Sequence, residues 1–478
     1  MMQRKLERTT FETSREAEYF DARELQAMTG QSKSNFAAVA VKELLDNALD
    51  ACETHGVEPE LKLRVVEDPH GDRHRITVSD NGPGIPDKVV EKVLDYSVRI
   101  SDKAAYRSPT RGAQGNALKT VVGIPYALEC REPVIIEGTG VRHEIKPWVD
   151  PAGSLRIAHA KSEAPADGIY KSSVSLVTTW ADQSFEPSYW AAAFAMFNPH
   201  ATLTYEHEYA GEAEEYKIRR AGGAIEHAKT GITDREIYKR SAGEGWRKYM
   251  PTDLTSAHWY NPQAMQRLVF SHIAEAENGG RDVPLGEFIR EFRGLSSPSK
   301  AKTVRAAVPG IEHLSDFADQ PQRVADLLSA MKEHSKGPNH RIFGRVGPEH
   351  FEAMFRRTYN VQEVTYQWTK DYTAGGLPYI FEIAVAILDE PGDLYYGINY
   401  TPTFDDPLEG TLLGGPKFKA RGLKGFLQHG HALPRSEGYY SFRSPAEVAV
   451  TVHIITPAPV FLDRGKTRIQ LNDAQEEG

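Results

Sequence analysis

Glu43, Asp46, Asn47 and Asp50 recur at spacings of three and four within Val39–Glu53. Residues so spaced are neighbours on a helix surface, so Glu43 stands beside Asn47 with Asp50 a turn further on. A carboxylate next to a carboxamide is suited to activating water and to holding a metal through oxygen. An ordinary amphipathic helix would show the same pattern, so the pair alone decides nothing. A second stretch, Ile76–Pro86, is β-branched and then runs into Asp80, Gly82 and Gly84. Glycines let backbone approach a ligand closely, and a fixed Asp accepts a hydrogen bond from an exocyclic amine. Alone, Asp-Asn-Gly is a common turn. A third stretch, Thr110–Lys119, is a loop carrying Gly112 and Gly115 that feeds a helical segment. Such a loop offers backbone N–H groups and a helix N-terminus to phosphates.

These groups need a scaffold. Ala37, Val41, Leu44, Leu45 and Ala48 make the apolar stripe that would seat the first stretch as a helix. Leu176–Trp180 reads as a closing strand, Trp190–Phe197 as a helix, and Thr202–Tyr205 as a strand after the turn Asn198-Pro199-His200-Ala201. His200 reads as a packed turn histidine. The charged, glycine-containing stretch 206–250 reads as a hairpin with an irregular connection. Four helical patterns follow, Gln263–Glu275, Leu285–Phe292, Ala301–Ala307 and Pro321–Met331, punctuated by Pro298 and Pro309. Strands and loops alternate over 336–478, with Pro378–Ile387 and Val448–Ile455 the clearest strands. Residues 1–35 are polar, with Glu18-Tyr19-Phe20 and Leu25–Met28 as anchoring spots.

The length of 478 residues, with 40% hydrophobic and 26% charged, describes a soluble protein of about three domains. A net charge of −9 argues against a surface coated in base for nucleic acid, though not against a local patch. Lys417, Lys419, Arg421, Lys424 and Arg435 lie in a run from Gly410 to Ser436 that holds no acid between Gly410 and Arg435, a candidate phosphate-tracking loop. Arg290, Arg293, Lys300, Lys302 and Arg305 form a second basic group, with Glu287 and Glu291 interspersed, and read as a solvated face. Two cysteines, Cys52 and Cys130, make no disulfide framework or metal site, which suggests a cytoplasmic protein. No apolar run has the length of a membrane span, and the N-terminus has no signal-peptide core, so no membrane is expected.

The order E-x-x-x-N-A-x-D-A, then D-x-G-x-G, then a glycine loop resembles the Bergerat ATP-binding fold of the GHKL group. Val41–Asn47 with Asp50–Glu53, Arg111–Gly115 and Asn198–Ala201 resemble the B-type ATPase component of topoisomerase VI most. The resemblance implies an α+β protein: a Bergerat-fold ATP-binding α/β sandwich with an N-terminal strap (1–250), a helical, helix-two-turn-helix-like insert (251–335) and a C-terminal α/β transducer-like domain (336–478). It implies ATP and Mg²⁺ as cofactors. Glu43 would be the general base on the attacking water and Asn47 the Mg²⁺ ligand. Asp80 would read the adenine amino group, and Gly82, Gly84, Gly112 and Gly115 would shape the pocket, with Gln114 on the same loop. Lys103 sits where relatives carry a lid lysine, a candidate phosphate contact. Lys466 is the candidate switch lysine, reaching the γ-phosphate from a transducer loop, and Gly397–Pro402 occupies the place of a transducer strand. Ala117 departs from the family, which usually has a third loop glycine there.

What this implies is an ATP-gated homodimer, closing as a clamp on duplex DNA. Topoisomerase VI B continues past its switch lysine into a long helix that grips the DNA-cleaving A-type partner. Here twelve residues follow Lys466, ending in an acidic tail. The expectation is therefore an ATPase that does not itself cleave DNA, with an A-type partner left open. The rival expectation is a nucleotide-dependent interaction switch with little hydrolysis, which Ala117 keeps in play. A sensor kinase is disfavoured because no histidine-bearing dimerisation helix precedes the nucleotide stretch.

Overall fold

The computed structural model describes residues 15–68, 72–96, 105–111, 117–151, 154–164, 168–179, 184–209, 216–219, 225–228, 233–373, 375–409, 412–415, 418–421, 423, 427, 444, 446–461 and 469. A 3-10 turn (Arg15–Phe20) leads into α1 (Ala22–Thr29), which Asp21 caps by accepting from the amides of Arg23 and Glu24. Then come α2 (Phe36–Thr54), β1 (Glu60–Glu67), β2 (Arg73–Asp80), α3 (Asp87–Val93) and α4 (Ala117–Ala127). β3 (Val134–Gly138), β4 (Val141–Val149), β5 (Leu155–Glu163) and β6 (Ser172–Thr179) precede α5 (Pro187–Phe197). β7 (Thr202–Glu208), β8 (Tyr216–Arg219), β9 (Ile225–Ala228) and β10 (Thr233–Tyr238) follow.

Eight of these strands form one sheet in the order β10-β7-β1-β2-β6-β3-β4-β5, in which only β1 and β7 pair in parallel. Alternation along the strands explains how it is buried. Leu61, Leu63 and Val65 of β1 and Ile76 and Val78 of β2 sink into one core with the apolar side of α2. On the opposite face Lys62 and Arg64 pair with Glu206 and Glu208 of β7 at 2.8 and 2.7 Å. β6 lies between β2 and β3, so Leu176–Thr179 does not close the sheet at an edge as the sequence suggests. Its residues Ser175 to Thr178 are all buried, which fits a central strand covered on both faces.

α2 is buried all round through its first turns, from Phe36 to Val41, where alanines admit close neighbours. The N-terminal turn packs on α4: a Cβ at Gly123 would lie 1.9 Å from the Tyr19 carbonyl oxygen. Phe20 and Leu25 are buried there.

The helical part holds α6 (Pro262–Glu277), α7 (Leu285–Arg290), α8 (Pro298–Arg305), α9 (Arg323–Glu333) and α10 (Pro348–Thr358). Asn261 and Ser297 cap α6 and α8, each followed by proline at the first helical position. Met265, Leu268, Phe288, Phe292, Leu327 and Met331 are fully or almost fully buried and tie these helices to the main core.

A second sheet follows, built from β11 (Glu363–Tyr372), β12 (Pro378–Ile387), β13 (Leu394–Ile398), β14 (Thr401–Pro402) and, later in the chain, a strand over Val448–Ile455. A separate hairpin, β15 (Leu412–Gly415) and β16 (Phe418–Arg421), intervenes, so Val448–Ile455 is β17. The order is β11-β12-β17-β13-β14. Ile380, Ala384 and Ala386 face the main core, while Phe381, Ile383 and Val385 pack on a second cluster with Tyr396, Val450 and Ile454. The stretch read as one strand, Gly397–Pro402, instead reverses at Asn399 and Tyr400, both at positive φ (51° and 68°). That is the backbone of a two-residue hairpin turn. Asn399 is held there by exchanging hydrogen bonds with the backbone of Thr456.

Candidate functional site

α2 lies against β2, and this packing brings the first two chemically suggestive stretches together. Asp80 ends β2 and is buried. Its Oδ1 accepts from the Gly82 amide at 2.9 Å and its Oδ2 from the Ser172 hydroxyl at 2.6 Å. A carboxylate has about four lone-pair positions, so two acceptor directions stay uncommitted by these bonds. Burial pushes the Asp80 carboxyl up, and the bonds from Ser172 and Gly82 partly offset that. At Gly82 a Cβ would lie 2.7 Å from Asp80 Oδ1 and 3.4 Å from Cys52 Sγ, so the chain passes the carboxylate too closely for any side chain. Gly84 takes φ +86°, against Thr139 and the Lys171 backbone. Asn81 serves the scaffold, accepting from the Glu60 amide and donating to the Glu58 carbonyl.

On α2, Asn47 is exposed and Glu43 is partly exposed, with Lys42 Nζ 3.9 Å from Glu43. Both side chains are therefore accessible to a ligand, a carboxylate and a neutral oxygen donor of the kind a hard cation takes. The other two acids of the polar set have a different fate. Asp46 accepts from Lys42 Nζ at 2.9 Å and lies 3.5 Å from Arg111 Nε, while Asp50 lies 3.5 Å from Arg111 Nη1. The polar side of α2 is therefore divided: Glu43 and Asn47 face outward, and Asp46 and Asp50 serve a buried ionic network.

Arg111 is the centre of that network. Its side chain is 1% exposed and donates to Glu53 at 2.7 Å and to Asn198 Oδ1. Glu53, equally sealed, also meets Lys248 Nζ and His200 Nε2. Burial alone would raise the Glu53 carboxyl, but Arg111, Lys248 and His200 together hold it well below the usual carboxylate range. Burial and the nearby Arg111 bring Lys248 down to about 8, Glu53 notwithstanding. His200 stacks on Trp246, and burial lowers it to about 4. Lys248 and the role of Glu53 were not legible in the sequence, because nothing local marks a lysine 195 positions after a glutamate as its partner.

Residues 105–111 lead into the glycine loop and are tied to the helical part. Tyr106 donates to Glu291 at 2.7 Å and pairs with His272 at 3.0 Å. The Arg107 amide donates to the Tyr260 hydroxyl, and Thr255 donates to the Arg107 carbonyl. Among the basic residues of the helical part, Arg290 and Lys300 donate to backbone carbonyls and Arg305 pairs with Glu312. Lys103, Gly112, Gln114, Gly115 and Lys466 lie outside the described residues, as do the side chains of Lys417, Lys419, Arg421, Lys424 and Arg435. Among the described residues no group of three or more His, Cys, Asp or Glu could hold a metal ion, and no helix is long and apolar enough to cross a membrane.

Residues 33–124, which contain α2, β2 and the start of α4, match the family of histidine kinase-, DNA gyrase B- and HSP90-like ATPases. The chain carries a GHKL-type domain. It is also similar to the B-type component of type 2 DNA topoisomerase 6 from several archaea. The Natronomonas pharaonis protein is 36% identical over 106 residues, 22% of this chain and 13% of that protein. The Thermococcus kodakarensis protein is 30% identical over 122 residues, 25% of this chain and 21% of its own length. The Thermococcus gammatolerans protein is 27% identical over 182 residues, 37% of this chain and 31% of that protein. The chain thus matches well under half the length of these relatives. Within that stretch it is similar to topoisomerase VI B-type proteins of the GHKL group; the chain as a whole has a mixed α/β fold with a second sheet and a helical part.

Proposed function

We propose that this chain is an ATP-binding and ATP-hydrolysing protein of the topoisomerase VI B-like kind. The observation that carries this is Asp80, a buried acceptor with uncommitted lone pairs beside Gly82, in the same matched domain as the accessible Glu43–Asn47 pair. Asp80 would accept from the adenine amino group. Gly82 and Gly84 would let the base lie against backbone, and Gly112, Gln114, Gly115 and Lys103 would line the phosphates. Glu43 would take the proton of the attacking water, with Lys42 Nζ 3.9 Å from its carboxylate. Asn47 would hold Mg²⁺, which when bound supplies positive charge to the phosphate oxygens.

Lys466, from beyond the second sheet, would contact the γ-phosphate and couple it to movement of that sheet. ATP would then draw two copies into a homodimer, and loss of the γ-phosphate contact would release it. The relatives are named as components of a DNA topoisomerase. A role on duplex DNA beside a separate A-type partner, without DNA cleavage by this chain, is the corresponding reading here.

Phosphate release and fluorescent-nucleotide binding by wild type and Glu43→Ala test the core of this reading. General-base catalysis contributes roughly 10²–10⁴-fold, so the variant should bind nucleotide and lose at least about a hundredfold in turnover. Equal turnover at background level in the two proteins would refute hydrolysis by Glu43 and leave a nucleotide-dependent switch.

A further inference from the structure

The hairpin tip Asn399-Tyr400-Thr401 of the second sheet reaches into the back of the nucleotide-binding domain. Thr401 Oγ1 lies 2.6 Å from both carboxylate oxygens of Asp46, and both residues are buried. Asp46 stands three residues after Glu43 and immediately before Asn47 on α2. Its carboxylate also accepts from Lys42 Nζ at 2.9 Å and sits 3.5 Å from Arg111 Nε. Lys42 is the cation beside Glu43, and Arg111 is the residue before Gly112 of the glycine loop.

Asp46 therefore gathers three segments onto one carboxylate: the helix bearing Glu43 and Asn47, the root of the glycine loop, and the second sheet. The tip is held firmly enough to act as a fixed point. Tyr400 is fully buried at φ 68°, a backbone state that costs a bulky residue free energy and persists only where its surroundings impose it. Here the Tyr400 amide donates to His453 Nε2 at 3.1 Å, its hydroxyl donates to the Phe343 carbonyl at 2.9 Å, and its carbonyl accepts from Asn198 Nδ2 at 3.0 Å. Asn198 also accepts from Arg111, so the tip reaches Arg111 by a second path.

We propose that Thr401 is a positioning residue for ATP hydrolysis, acting through Asp46. Its hydroxyl orients the Asp46 carboxylate, and Asp46 in turn holds Lys42 beside Glu43 and Arg111 at the root of the loop. Displacement of the second sheet would break this hydrogen bond and misplace the Glu43–Lys42 pair. This gives the second sheet a contact on the catalytic helix that is separate from Lys466. The proposal rests on the ATPase reading for its catalytic consequence, while the contact has a structural readout of its own.

The test compares full-length wild type with Thr401→Val, which removes the hydroxyl at nearly constant volume, and Thr401→Ser, which restores it. Without nucleotide, amides of α2 around Glu43–Asn47 should exchange hydrogen at least about threefold faster in Thr401→Val than in wild type or Thr401→Ser. With ATP, Thr401→Val should lower kcat at least about fivefold with KM within about twofold, and Thr401→Ser should recover most of the loss. The loss of one hydrogen bond to a charged group bounds the kcat effect at roughly a hundredfold. Wild-type exchange and wild-type kinetics in Thr401→Val would overturn the proposal. So would a fall in kcat that Thr401→Ser fails to restore. Absence of turnover in wild type, with α2 exchange still sensitive to Thr401→Val, would sink the ATPase reading and keep the contact.

Discussion

Arg111 donates to Glu53 at 2.7 Å with both side chains 1% exposed, so the root of the glycine loop is fastened to the far end of the helix that carries Glu43 and Asn47. Arg111 and the helix cannot shift independently while that pair is intact.

Breaking the pair should be expensive. Arg111→Met leaves Glu53 buried against Lys248 and His200 alone, and removing one partner of a buried ion pair costs about 3–5 kcal/mol. A comparable loss of unfolding free energy in urea is expected. Adding Glu53→Gln in the Arg111→Met background should deepen the loss, because Lys248 Nζ would then lose the buried carboxylate it meets.

Asp80→Asn should weaken nucleotide binding without weakening the fold. The lost acceptor is charge-assisted, worth about 1.5–3 kcal/mol, or roughly ten- to a hundredfold in affinity for a fluorescent adenine nucleotide. Burial already disfavours the Asp80 charge, so the melting temperature should hold or rise slightly.

Gly123→Ala should free the N-terminal segment. The added Cβ would fall 1.9 Å from the Tyr19 carbonyl oxygen, which is backbone and cannot rotate away. Overpacking of this kind costs about 1–3 kcal/mol. Limited proteolysis should then cut near Arg15 and Arg23 faster than in wild type.

Acid should destabilise the protein well before carboxylates protonate. Burial lowers His74 to about 3, His200 to about 4 and His350 to about 4. Their unfolded values lie near 6.5. Below that pH the unfolded chain takes up protons that the folded chain refuses, so stability is greatest above 6.5 and falls as the pH drops toward 4. At pH 5 these residues should account for uptake of about three protons on unfolding. Denaturant midpoints measured from pH 7.5 to 4.5 would show the fall, and a flat profile would refute it.

Much of the architecture was legible one segment at a time. The apolar stripe of α2, the alternation in β1 and β2, and the proline-led helices of the middle part are local signals, because burial at a period of 3.6 or 2 is written in neighbouring residues. The adjacency of Glu43 and Asn47 was legible for the same reason. Gly397–Pro402, which the resemblance put in the place of a transducer strand, misled because the turn at Asn399-Tyr400 depends on Thr456 and His453, more than fifty residues away.

The division of the polar side of α2 belongs to the tertiary structure alone. By sequence Glu43, Asp46, Asn47 and Asp50 are equivalent, a row of polar groups at helical spacing. Which of them stays accessible is settled by what packs behind the helix: Arg111 before the glycine loop, Thr401 at a hairpin tip, and Lys248 beyond them against Glu53. Charges removed from water must be compensated wherever the fold buries them, and the compensating groups come from segments whose spacing in the chain carries no trace of the contact. Residue order thus determined which polar groups line the helix, and three-dimensional packing decided which acid stands toward the surface.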